Sequence, residues 1–358
     1  PTRLANQGLI LARTNGKVEV RGGLVEQGAK GVIWASLEGI VQLEGGVEIT
    51  GGSLVSAVDG SMQIKNTAGK GAGLTDLTIE GTLDALGGSK TFVNGTIRGD
   101  ADAGGGIVLH GQNVVTTLFA RGSVELNGIE VQLRSGTASR RATVTGTTDD
   151  DSTSAKAELL LRGGASIVGT GVIGESLNPR GTLHHLDVGS DSFVDADASI
   201  TDTGTDTLLV TPRTLTNNGT LRAKAGSTLH LNLTKDPADI FPAHNIVDNR
   251  KHIIADGSDA KVRIDASVFQ EDNASIKTAN GGLVLLEGTT IRNGGLDGEF
   301  HVNSLFGRVI LADVEIEQGS NISVPGGHSL RLSENIINDG LIEIGDAGTN
   351  GATLILSA

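Results

Sequence analysis

The stretch Leu215–Leu233, LTNNGTLRAKAGSTLHLNL, is too polar for a closed core and too regular for a loop. It runs Leu-x-Asn-x-Gly-x-Leu-x-Ala, then a short polar link, then Leu-x-Leu-x-Leu. The same phrase opens the chain as Leu4-Ala5-Asn6-Gln7-Gly8-Leu9-Ile10-Leu11-Ala12 and returns as Ile336-Ile337-Asn338-Asp339-Gly340-Leu341-Ile342-Glu343-Ile344. Leu215, Asn217, Gly219, Leu221 and Ala223 share one parity, so unbroken alternation would point all five inward. A corner at Asn-x-Gly resolves this. Gly is expected to take a φ > 0 turn, and Asn to bond the turn backbone or to stack on an Asn of a neighbouring coil. Leu221 and Ala223 then begin one face, and Leu229 and Leu231 the next.

The offsets repeat. Val18 and Val20 stand 10 and 12 residues after Gly8, as Leu229 and Leu231 do after Gly219. Leu354 and Leu356 stand 14 and 16 after Gly340, which asks for four extra residues in a turn near 346–349. Turns absorb such insertions; strand faces do not.

Composition points the same way. The 358 residues include 53 Gly but only 6 Pro, 7 Phe, one Trp and no Tyr. Aromatics are the largest sources of buried area in a globular core. Here Val, Ile, Leu and Ala must supply it, which suits a narrow core wound from many short strands. The absence of Cys excludes disulfides, thiolate metal sites and a cysteine nucleophile. The net charge of −14 argues against a general basic surface for nucleic acid. No apolar run approaches the roughly 18 residues of a membrane-spanning helix.

Short alternations recur along the chain: Val18-Glu19-Val20, Val41-Gln42-Leu43, Met62-Gln63-Ile64, Leu77-Thr78-Ile79, Val124-Glu125-Leu126 and Ile129-Glu130-Val131. Each reads as a strand with one face in and one out. Val18, Val41, Met62 and Leu83 follow one another at 23, 21 and 21 residues. A period of 20–24 residues holding several short strands predicts an all-β fold, a β-solenoid. At the spacing of paired strands, roughly 16 coils would make a rod about 75 Å long. Residues 1–358 are expected to form one continuous solenoid. Two segments depart from the pattern: 146–157, an exposed polar loop, and 235–252, a non-repetitive excursion.

The phrases LTNNGTLRAKAGSTLHL, LANQGLILA and IINDGLIEI resemble repeats of large exported bacterial surface proteins. These are the passenger regions of autotransporters, filamentous haemagglutinin-like adhesins, and sheath proteins. The resemblance implies a right-handed parallel β-helix, export to the cell surface or beyond, and a structural or adhesive role. The two-partner secretion signature does not carry over: Asn178-Pro179-Arg180-Gly181 only echoes Asn-Pro-Asn-Gly, and lies mid-chain.

Parallel β-helices also carry polysaccharide hydrolases and lyases, so a catalytic reading has to be weighed against the residues. Asp149-Asp150-Asp151 is the one run of acids, in a Thr/Ser-rich stretch where a solvated charge patch is the ordinary reading. Gly326-Gly327-His328 matches a polygalacturonase-like motif only in part, and Arg263-Ile264-Asp265 has the wrong charge for its Arg-x-Lys. His184-His185 would point to opposite strand faces and cannot chelate together. The pairs Asp100/Asp102 and Asp195/Asp197 put two carboxylates on one strand face, an arrangement that favours a cation such as Ca²⁺. The Gly-Gly-x-Gly-x-Asp nonapeptide of calcium-binding β-rolls is missing. Gly69-Lys70-Gly71-Ala72-Gly73 lacks the strand–loop–helix context of a phosphate loop.

The sequence is therefore read as a non-catalytic structural or adhesive rod, with no catalytic, cofactor or metal residue assigned and calcium the one cofactor left open. The rival readings are a carbohydrate-active β-helix enzyme and a tailspike-like glycan binder. A solenoid end leaves backbone groups unpaired, and no cap is legible at either end. The expectation is continuation in a longer polypeptide or head-to-tail self-association, with a surface glycan or protein as a further partner.

Overall fold

The computed structural model describes residues 2–67, 69–100, 104–111, 114–136, 141–147, 156–174, 176–177, 180–200, 206–233, 246–303, 308–345 and 351–357. The fold is all-β. Short strands stack in parallel as a β-solenoid of about 13 turns. Among the described residues the one helical element is a 3-10 turn at Ala198–Ile200, and Ser176–Leu177 pairs with Arg180–Gly181 in an antiparallel hairpin. The chain divides into two units, Pro1–Leu186 with Ser199–Thr205, and Asp187–Ala198 with Asp206–Ala358.

In the first unit the positions spaced at the coil period stack directly. Val18, Val41, Met62, Leu83, Ile107, Val131 and Ile167 form one column of paired residues. In the second unit Leu208, Leu229, Val262, Val284, Phe300, Ile322 and Ile342 form another. Side chains alternate across each strand, so the pattern buried, half-buried, buried recurs, as in Thr220–Lys224. A fully buried Val, Leu or Ile contributes about 1.5–3 kcal/mol of transfer free energy, and each coil repeats that gain against its neighbours.

The Asn-x-Gly phrase is a corner in all three copies, with a bend between two strands. Its Asn accepts the amide of the Gly two residues on: Asn6 from Gly8, Asn217 from Gly219 and Asn338 from Gly340, each at 3.2 Å. The expected φ > 0 is corrected, because none of these glycines adopts it. Glycine is needed at Gly219 for close approach: a Cβ there would lie 2.2 Å from the Ser192 carbonyl oxygen of the adjacent coil. The left-handed corners belong instead to paired glycines such as Gly45-Gly46, at φ 67° and 79°.

Coil length varies more than the sequence period. Hydrogen-bonded neighbours lie 21 residues apart at Asn6–Gln27, Gln42–Gln63 and Asn249–Gln270, but 32 apart at Asn217–Asn249 and 35 apart at Ser135–Thr170. Long coils reduce the expected roughly 16 turns to about 13. The two unusual segments fall in them. Residues 148–155 lie outside the described residues; around them Gly146 closes a strand and Ala157 is buried. Residues 234–245 also lie outside, as does the turn expected near 346–349. Ile246–Asn249 and His252–Asp256, part of or adjoining the 235–252 segment expected to depart from the repeat, are ordinary coil strands.

Val41, Leu221, Leu229 and Leu231 are fully buried as expected. Val18 and Val20 are half-buried, and Leu354 and Leu356 are 37% and 73% exposed. These four have inward register, but the described strands pair with them on one side only.

Candidate functional site

Polar groups inside the coils form cross-coil ladders. Asn217 Nδ2 donates to Asn249 Oδ1 at 2.8 Å and to the His252 carbonyl at 3.0 Å. Asn249 Nδ2 donates to Gln270 Oε1 at 3.1 Å, and Gln270 Nε2 to the Asn293 carbonyl at 2.9 Å. Asn217, Asn249 and Gln270 are fully buried, so each bond satisfies a group that water cannot reach.

The Asp195/Asp197 pair follows the same logic. Both carboxylates meet cationic side chains of the neighbouring strand: Arg222 Nη2 lies 2.6 Å from Asp195 Oδ2, and Lys224 Nζ lies 3.2 Å from Asp195 and 3.0 Å from Asp197. The Asp195 side chain has no exposed surface. Its hydrogen bonds raise the Arg222 pKa against the opposing effect of burial. Burial pulls the Lys224 ammonium down, but Asp197 and Asp195 outweigh it and its pKa is raised. The cations that this carboxylate pair favours are supplied by the chain itself. Asp102 and Asp149-Asp150-Asp151 lie outside the described residues.

Each unit carries a surface groove. In the first, a groove of about 650 Å³ is lined by Trp34, Val55, Ala57, Val58, Glu80 and Asp84 among others. Trp34 is the one Trp of the chain, and its Nε1 is enclosed without a hydrogen-bond partner. Asp84 contacts His110 Nε2 at 3.0 Å. In the second unit, a groove of about 550 Å³ is lined by acids and amides, including Asp272, Asn293, Asp313, Glu315, Glu317 and Asn335. Neither set was legible in the sequence. Trp34, Val55 and Glu80 are far apart in the chain and meet because strand register places them in one outward column.

A third constellation joins His230, Asp265 and Glu287, whose ligand-type atoms all lie within 4.8 Å of one another. His230 Nε2 is closed off from solvent and has no hydrogen-bond partner. Burial, aided by the nearby Arg263 charge, pushes the His230 pKa down to about 4. Glu287 accepts hydrogen bonds from Arg263 Nε and from Asn303 Nδ2. Arg263 and Asp265 are near neighbours in sequence, but His230 and Glu287 reach them from other coils.

No known family model matches the chain, and no curated protein matches it. A solved structure to which it is similar is the crystal structure of the TibC-catalyzed hyper-glycosylated TibA55-350 fragment. That fragment is 12% identical, and the alignment covers 98% of this chain and 99% of that chain at a TM-score of 0.28. Among the described residues no helix is long and apolar enough to cross a membrane.

Proposed function

We propose that the chain is a non-catalytic structural or adhesive component of a bacterial cell-surface or extracellular fibre. The observation that carries this reading is where the polar and charged side chains are spent. The buried ones tie coil to coil, through the Asn217–Asn249–Gln270 ladder and the Asp195–Arg222–Lys224 network. Cross-coil pairs of this kind stiffen a stack and leave few groups for chemistry. The repeat phrases, which resemble those of exported surface proteins, support the same reading.

The test is a panel of polysaccharides incubated with the purified chain, alongside sedimentation and negative-stain imaging. The reading expects no turnover, and self-association visible by sedimentation. Turnover that Glu80→Gln or Asp84→Asn abolishes would overturn it.

A second reading is favoured by the Trp34 groove. An aromatic face beside two carboxylates and the hydroxyls of Ser56 and Thr82 suits a saccharide, which offers an apolar ring face and a rim of hydroxyl donors. Trp34 is the only Trp, so its fluorescence reports binding directly. Saccharide-dependent quenching that Glu80→Ala removes would support a glycan-binding face; an unresponsive Trp34 would dismiss it.

A further inference from the structure

The second unit places His230, Asp265 and Glu287 on three successive coils. His230 lies in the strand Thr228–Leu231. Asp265 directly follows Lys261–Ile264, and Glu287 directly follows Leu283–Leu286. The strands pair in register, His230 with Arg263 and Arg263 with Leu285. Leu231, Ile264 and Leu286 stack inward one residue earlier than the two acids or one later than the histidine. The inner column is rigid because all three of its members are fully buried. It therefore fixes the three polar side chains around one point.

What sets this cluster apart from the acidic grooves is the imidazole. Its Nε2 is enclosed and has neither donor nor acceptor. Such a nitrogen costs free energy unless something satisfies it. A neutral imidazole nitrogen of this kind can offer a lone pair to a metal ion. One nitrogen of this ring and one carboxylate oxygen from each acid lie within 4.8 Å of one another. Sub-ångström to ångström side-chain movements bring such a triad to the roughly 2.0–2.2 Å bonds of a zinc ion. Glu287 is also oriented from outside by Arg263 and Asn303, as carboxylate ligands commonly are.

We propose that His230, Asp265 and Glu287 bind one divalent transition-metal ion of the Zn²⁺ class and thereby staple three consecutive coils. An imidazole with two carboxylates suits a borderline ion, with water in the remaining position. It does not suit Ca²⁺, which takes six to eight oxygen ligands. The role is structural: the ion satisfies the orphan nitrogen and cross-links coils that otherwise meet through backbone pairing and the inner column.

The experiment uses the full chain, freed of metal with a chelator and titrated with ZnCl₂ by calorimetry. Co²⁺ serves as a spectroscopic substitute, and thermal unfolding is followed with and without metal. The expected result is one Zn²⁺ per chain and a raised Tm. Binding should weaken at least tenfold in His230→Ala, in His230→Gln and in Glu287→Gln, with each variant folded by circular dichroism. His301→Ala, an exposed histidine on the next coil, should bind as the unmodified chain does. Absence of Zn²⁺ binding, or the same affinity in both His230 variants as in the unmodified chain, overturns the proposal. So does a Co²⁺ spectrum that His230→Gln leaves unchanged.

Discussion

Replacing Asn217 with Ala removes three hydrogen bonds from the inside of a coil. The side chain accepts from the Gly219 amide at 3.2 Å and donates to Asn249 Oδ1 at 2.8 Å and to the His252 carbonyl at 3.0 Å. Asn217 and Asn249 are fully buried, so water cannot replace what is lost. At about 1 kcal/mol for each bond the loss is about 3 kcal/mol, before any cavity cost. The same change in the other two copies of the phrase meets different surroundings. Asn6 is 8% exposed, and its bonds to Gln27 and Val32 are 3.2 and 3.4 Å long, so Asn6→Ala should cost about 1–2 kcal/mol. Asn338 is exposed and holds its own turn through Gly340, so Asn338→Ala should cost less than about 0.5 kcal/mol. Asn217→Asp is sharper still. It keeps the shape but sets oxygen against oxygen at the Asn249 and His252 contacts, and should destabilise more than Ala does. Urea unfolding measures the total. Hydrogen exchange read by mass spectrometry locates the effect, since stacked repeats open in parts. If Asn338→Ala costs as much as Asn217→Ala, or if Asn217→Asp is milder than Asn217→Ala, the ladder is not what stabilises this corner.

Gly219→Ala should cost about 2–3 kcal/mol in urea unfolding, because its Cβ would press on the Ser192 and Gly189 carbonyls. Gly8→Ala, with nothing within 4 Å, should be nearly neutral. Leu229→Asp buries a charge between Leu208 and Val262 and should cost about 4 kcal/mol or more, seen as loss of exchange protection in those strands. Arg222→Leu leaves the buried Asp195 carboxylate with Lys224 alone and should lower stability by about 3 kcal/mol. Lys224 has a raised pKa, so its contribution is complete below the unfolded value of about 10.4 and is lost as pH rises through the higher folded value. An unfolding series from neutral to strongly alkaline pH should show that loss, and Lys224→Met should flatten it.

The sequence by itself determined the solenoid. Val18, Val41, Met62 and Leu83 recur at the coil period, and they stack because a parallel in-register sheet is the arrangement that buries one parity of every short strand. It also located the corners, since Asn-x-Gly interrupts an alternation that would otherwise bury polar groups. The backbone reason for the glycine was not legible, because close approach to Ser192 depends on a neighbour from another coil, whereas φ is a local property. Only the tertiary structure decided which polar residues meet. Asp195 and Asp197 look like a cation site in one dimension, but Arg222 and Lys224 reach them from a coil that the sequence does not show to be adjacent. His230, Asp265 and Glu287 share no motif, and they converge because insertions of unequal length still return each strand to the same register. Periodicity is carried by apolar burial and can be read along the chain. Side-chain chemistry across coils depends on the length of every intervening turn, and the folded stack alone sets that.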